Sequence, residues 1–112
     1  MVLDAADLAA VSGFWAGMYG GTVQAEDDWH DVIVDGRTVL GVQLAPNHIP
    51  PQWPAGQPQQ IHLDLDVPDI GRAHEEALRL GARLLQDADR TAARGFVVYA
   101  DPAGHPFCLC WG

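Results

Sequence analysis

His62 and Asp64 stand two residues apart in the run Gln60-Ile61-His62-Leu63-Asp64-Leu65-Asp66-Val67. On an extended strand, residues at i and i+2 share a face, so the imidazole and the carboxylate are neighbours by geometry alone. Such a pair can move a proton, hydrogen-bond a ligand or donate to a cation. Gln60 has the same parity, and its amide both donates and accepts. Cys108 and Cys110 repeat the i, i+2 spacing near the end of the chain. Their separation on a strand, about 6.5–7 Å, is at the outer limit for a disulfide. They therefore read as reduced thiols: small apolar lining on one view, a nucleophile or a soft-metal ligand on the other. Few basic residues are at hand to lower a thiol pKa. Gln43 offers a further amide.

Trp53, in the segment Pro51-Gln52-Trp53-Pro54, has two readings. It covers a sheet edge or a dimer interface, or it is an aromatic lid that stacks on a planar ligand. His30 is a conceivable third partner for His62 and Asp64. His48 lies in the Pro-rich segment. His74, beside Glu75 and Glu76 on a helix, reads as solvent-exposed. His105 follows a turn glycine and serves turn geometry. No Ser-His-Asp arrangement, phosphate-binding glycine loop or dinucleotide fingerprint is present, because Gly17-x-x-Gly20-Gly21 closes a helix instead of opening one after a strand.

The elements that must position these side chains follow from periodicity. Residues 1–4 read as a short strand. Asp7 can cap a helix over 7–19, with Leu8, Val11, Trp15 and Met18 at spacings of three and four, ended by Gly20-Gly21. Strands are expected at 22–26, 29–35 and 37–44, the last two joined by the hairpin pair Asp35-Gly36. Residues 45–58 hold too much proline for helix or central strand. Strand 60–67 alternates strictly, with Ile61, Leu63, Leu65 and Val67 on its apolar face. Asp69 caps a second helix, 69–80, whose inner side is read as Ile70, Ala73, Ala77, Leu78 and Leu80, closed by Gly81. Strands at 82–86, 96–100 and 106–111 follow, the last after the type I turn chemistry of Asp101-Pro102-Ala103-Gly104. Phe107, Leu109 and Trp111 share parity and read as helix-facing.

The order is β-α-β-β-β twice. Asp4-x-x-Asp7-Leu8 returns as Asp66-x-x-Asp69-Ile70 at an offset of 62 residues, each time before a helix that ends in Gly. The expected organisation is a single domain over 1–112, made of module one (1–44), a Pro-rich connector (45–58) and module two (59–112).

Composition removes several function classes. Of the 112 residues, 48% are hydrophobic and 19% charged, which is globular and not disordered. Fifteen acidic side chains against six basic ones, all Arg, leave a formal charge of −9. A field of that sign repels phosphate backbones and anionic membranes. No apolar run approaches the roughly 20 residues of a membrane span. The amino terminus lacks the basic and apolar regions of a secretion signal. The expectation is a cytoplasmic protein with reduced thiols.

His62-Leu63-Asp64-Leu65 opening the second module, Leu80-Gly81-Ala82 ending its helix, and Asp101-Pro102-Ala103-Gly104-His105-Pro106-Phe107 before the last strand together resemble the vicinal oxygen chelate superfamily. This is the group of glyoxalases, bleomycin resistance proteins and extradiol dioxygenases. The resemblance spans essentially the whole chain. It is strongest to small acidic glyoxalase-like bacterial proteins that also carry Phe14-Trp15 and the Pro51–Pro54 motif. It implies an α+β fold in which two βαβββ modules form an open, U-shaped mixed sheet with helices on the outer face, a ligand cleft on the concave face, and pairing into a homodimer.

Metal-using members of that superfamily place ligands on the first and last strands of each module. His62 falls on one such position. The final-strand ligand, usually Glu, is Cys108 here, and the first-strand partner of His62 would precede Met1 or be Met1 itself. The resulting expectation is a small-molecule-binding protein, with no metal or other cofactor expected and His62 only a weak candidate ligand. Its cleft residues are His62, Asp64, Gln43, Trp53, Cys108 and Gln60, with His62 and Asp64 the candidate acid/base pair. An acidic cleft favours a neutral or cationic natural product, which the protein would sequester. The alternative is a metal-dependent lyase, isomerase or dioxygenase, in which a divalent ion polarises vicinal oxygens.

Overall fold

A computed structural model describes residues 1–51 and 62–112. Trp53 and Gln60, both expected at the site, lie outside the described residues. The chain divides into two compact units, Met1–Ile49 and Pro50–Gly112.

The first unit contains β1 (Val2–Ala5), α1 (Leu8–Tyr19), β2 (Thr22–Ala25), β3 (Trp29–Val34) and β4 (Arg37–Leu44). The second contains β5 (Leu63–Asp66), α2 (Ile70–Leu80), β6 (Arg83–Gln86), β7 (Gly95–Ala100) and β8 (Pro106–Trp111). Each builds a four-stranded mixed sheet of the same topology, β1-β4-β3-β2 and β5-β8-β7-β6. In each, the first strand pairs in parallel with the last, and the remaining pairs are antiparallel. A parallel pair needs a crossover, and the single helix of each unit lies in that connection. Both sheets remain open. The fold is α+β, as the repeated element order implies.

The caps are those the sequence announces. The Asp7 carboxylate accepts from the Ala10 N–H at 3.1 Å, and that of Asp69 accepts from the Arg72 N–H at 3.2 Å. Gly20 and Gly81 close the helices in the left-handed conformation. Asp35 and Gly36 both have positive φ, 51° and 77°, the backbone of a type I′ hairpin whose twist matches the flanking strands.

The two helices bury different faces. On α1, Leu8, Val11, Ser12, Phe14, Trp15 and Ala16 are all buried, and Phe14 meets Trp15 edge to face. Met18 is only half-buried. On α2 the buried set is Ile70, His74 and Ala77, a single narrow stripe at spacings of four and three. Two expectations fail here. Leu78 falls off that stripe and is exposed, whereas His74 lies on it and is only 8% exposed. The imidazole is accommodated because its Nδ1 meets the Tyr99 hydroxyl at 2.6 Å, so a buried polar group keeps a partner. Tyr99 stacks on Phe107 with centroids 5.4 Å apart. Tyr99 thereby marks the α2-facing side of the sheet, shared by Val97, Phe107 and Leu109, all fully buried.

Trp111 has the same parity but is only half-buried. It sits at the strand end, where its indole N–H donates to the Ala92 carbonyl at 2.9 Å and its ring covers Gly95, its cross-strand partner. A Cβ at Gly95 would overlap that ring. Trp29 covers Gly41 in the first unit in the same way. The turn before β8 is organised by buried Asp101, whose carboxylate accepts from the Ala103 and His105 N–H groups at 2.9 Å each and meets the His105 ring at 2.7 Å. His105 thus serves turn geometry, as its place after Gly104 implies.

The buried pair gives a stability test. Tyr99→Phe strands the His74 imidazole and is expected to cost about 1–3 kcal/mol in urea unfolding, while His74→Leu/Tyr99→Phe recovers part of that loss because neither polar group remains. Equal costs for the single and double variants would show that the hydrogen bond contributes nothing.

Candidate functional site

The register of β5 on β8 builds the site. The parallel pairing sets Leu63 beside Phe107, Asp64 beside Cys108, Leu65 beside Leu109 and Asp66 beside Cys110. Because Phe107 and Leu109 face α2, Asp64, Asp66, Cys108 and Cys110 stand on the opposite face. Just before β5, His62 shares the parity of Asp64, and its Nε2 lies 3.2 Å from Asp64 Oδ1. The Cys108 thiol donates to the Asp64 carboxylate. The potential ligand atoms of His62, Asp64 and Cys108 all lie within 4.8 Å of one another. Of the six residues expected at the site, the structure brings these three together.

Gln43 belongs to the first unit. It pairs with Asp4 and Trp29, and it is exposed on the face away from α1. His30 is not placed as a partner of His62 and Asp64. Its Nδ1 meets the buried Ser12 hydroxyl at 2.8 Å, so it points to the α1 side of its own sheet. The third donor beside His62 and Asp64 is Cys108. The parity of His30 was ambiguous because Asp27 and Asp28 precede β3, and the pairing Ala25↔His30 and His30↔Val42 resolves it.

Phe96 was absent from the sequence-derived set. It pairs with Cys110 on the face opposite α2 and is exposed. The signal was available in its parity, which is opposite to that of the core residues Val97 and Tyr99. The face therefore presents two exposed carboxylates, an imidazole, two thiols and one aromatic ring.

Electrostatics hold both thiols neutral. Burial in the sheet, then the Asp64 charge and its hydrogen bond, push the Cys108 thiol up to about 12. Cys110 is raised in the same direction by burial and by Asp64 and Asp66. At neutral pH neither is a ready nucleophile. The donor set is one nitrogen, one carboxylate and one thiol. That does not fit a hard cation, which takes six or more oxygen-type ligands, but it does fit a borderline ion that accepts sulfur.

A glyoxalase-like domain model matches residues 1–110. The chain belongs to this family. It is accordingly a member of the vicinal oxygen chelate superfamily, and the match runs across both units. No curated protein matches the sequence. Solved structures share the glyoxalase-like fold at low identity. The fosfomycin resistance protein FosX from Mesorhizobium loti is 13% identical with a TM-score of 0.73, the alignment covering 100% of this chain and 88% of that one. A glyoxalase/bleomycin resistance protein/dioxygenase family enzyme from Burkholderia phytofirmans is 16% identical with a TM-score of 0.73, covering 99% and 94%. A glyoxalase-related enzyme from Fulvimarina pelagi is 22% identical with a TM-score of 0.67, covering 100% and 85%. Among the described residues of this glyoxalase-like chain, no helix is long and apolar enough to cross a membrane.

The raised thiols make a reactivity prediction. Alkylation of Cys108 is expected to stay slow until strongly alkaline pH. Asp64→Asn removes the neighbouring negative charge and moves the onset to lower pH, read by mass spectrometry of the labelled peptide. An unchanged onset in Asp64→Asn would show that Asp64 does not set the thiol.

Proposed function

We propose that this glyoxalase-like chain is a small-molecule-binding protein whose site is the His62–Asp64–Cys108 face of the second sheet, without the complete metal-ligand set of the metal-using superfamily members. The observation that carries this reading is the convergence of those three polar groups on the sheet face opposite α2. His62 Nε2 lies 3.2 Å from Asp64, and Asp64 stands beside Cys108 in the strand pairing, while Phe96 offers an exposed ring on the same face. A few placed polar groups beside apolar and aromatic surface are what small-ligand sites require.

The ligand class follows from charge. Asp64 and Asp66 are exposed on this face, the whole chain carries −9, and none of its side chains is Lys. An anionic ligand is repelled, and a neutral or cationic one is accepted. Sequestration of such a natural product needs no turnover and suits thiols held in the neutral form. We place the protein in the cytoplasm as a homodimer, where two reduced thiols are stable.

One observation favours a second reading, a metal-dependent lyase, isomerase or dioxygenase. The three donor atoms are close enough to share an ion. A bound divalent ion would polarise vicinal oxygens of a substrate, with His62 and Asp64 positioned to hold it and to orient the substrate.

Ligand-induced melting separates these. Metal-free protein is expected to be stabilised by neutral or cationic aromatic compounds, by about 2.7 kcal/mol at a hundredfold excess over Kd, and not by their anionic analogues. Phe96→Ala and His62→Ala should each abolish the shift. Stoichiometric Mn, Fe or Ni in the purified protein, lost in His62→Ala, would instead establish the second reading.

A further inference from the structure

The first sheet holds a tryptophan whose surroundings ask for more than the cover of a glycine. We infer that Trp29 and Asp31 form a binding subsite for a small organic cation, an alkylated or aromatic ammonium, drawn from the first unit alone. The subsite is separate from the His62–Asp64–Cys108 face and does not rest on it.

The pair follows from strand parity. On β3, His30 meets Ser12 of α1 and Val32 is fully buried, so Trp29 and Asp31 stand on the opposite face. The register of β4 sets Gln43 beside Trp29 and Gly41 beside Asp31. The indole lies on the Gly41 backbone, where a Cβ would overlap the ring. Glycine inside a strand marks a place where another group approaches closely, and here that group is a flat ring. One side of the ring is bedded in this way, and Trp29 remains half-exposed.

The chemistry of the ring follows from its hydrogen bond. The indole N–H donates to Asp31 Oδ1 at 2.8 Å. Indole has one donor and no acceptor, so what the side chain still offers a ligand is its π face, which is electrostatically negative. The carboxylate fixes the ring plane and polarises the ring toward a richer face, and tryptophan is the aromatic side chain that attracts a cation best. Trp111 has the same glycine bed, but its N–H ends on the Ala92 carbonyl, a neutral acceptor. Covering a glycine therefore does not call for a carboxylate at position 31. Asp4, paired with Gln43, adds a second, exposed carboxylate on this face, and Gln43 and Gln24 supply exposed amides. An anion is repelled here, and a neutral molecule gains nothing from either charge.

Choline and its uncharged carbon isostere, 3,3-dimethylbutan-1-ol, are the probes, because they differ in charge and hardly in shape. Each is titrated into full-length nitrogen-15-labelled protein. The Trp29 indole N–H resonance, identified by its loss in Trp29→Phe, is followed by nuclear magnetic resonance. Choline is expected to move it saturably, and the alcohol should not. Asp31→Asn keeps an acceptor for the indole and removes the charge, and it should weaken choline binding by at least about threefold. In Trp29→Leu, with the fold intact by circular dichroism, the Gly41 amide resonance should no longer respond to choline.

An equal shift from the neutral alcohol, no shift from choline, full affinity in Asp31→Asn, or a Gly41 response that survives in Trp29→Leu would each overturn the inference. His62→Ala should leave the Trp29 response unchanged, and its loss there would overturn the independence of the subsite. The melting shifts that His62→Ala abolishes report on the face of the second unit, so either reading can fail without the other.

Discussion

The parallel pairing of β5 with β8 is the constraint on which the second unit depends. It joins strands distant in sequence, and such a pair forms only if a crossover carries the chain back along one face. That crossover contains α2, whose narrow apolar stripe covers Phe107, Leu109, Val97 and Tyr99. Once this face is closed, the other must carry the remaining parity, and the register decides which side chains become neighbours. Asp64 lies beside Cys108 for that reason alone. A slip of one residue would turn both toward the helix and bury a carboxylate in the core, at a cost of several kcal/mol.

The same constraint sets the chemistry of the face. A thiol in a sheet interior loses solvation, and a carboxylate beside it adds repulsion to the thiolate. Both effects act in one direction, and Cys108 remains a neutral donor to Asp64. The carboxylate is thereby shared between an imidazole on its own strand and a thiol on the next. It is the hub of the cluster.

The two units repeat one topology with different internal solutions. In the first, α1 is apolar around most of its circumference, and its buried Ser12 hydroxyl meets His30. In the second, α2 is strongly two-sided, and His74 meets Tyr99. Each unit thus joins its helix to its sheet through one histidine and one hydroxyl, with the histidine on the strand in the first case and on the helix in the second. Each also places a tryptophan over a strand glycine, Trp29 on Gly41 and Trp111 on Gly95. Without a Cβ, a flat ring can lie on the backbone and restore the apolar cover the glycine lacks.

Much of this was legible in the residues. The caps at Asp7 and Asp69, the Asp35-Gly36 hairpin, the Asp101 turn and the 62-residue repeat are local signals, each governed by backbone geometry within a few positions. They determined the element order, the α+β class and the shared face of His62 and Asp64. Which third residue joins that pair was not local. His30, Cys108 and Gln43 were all candidates, because strand periodicity gives parity within a strand and says nothing of which strands adjoin. The orientation of His74 was hidden for a related reason. Its acidic neighbours in sequence suggested solvent, while its partner Tyr99 lies 25 residues away on another strand. The sequence by itself determined the elements, the caps, the sign of the field and the donor types. The tertiary structure alone decided the neighbours, because contacts between distant segments are set by strand register and by which face a helix must cover.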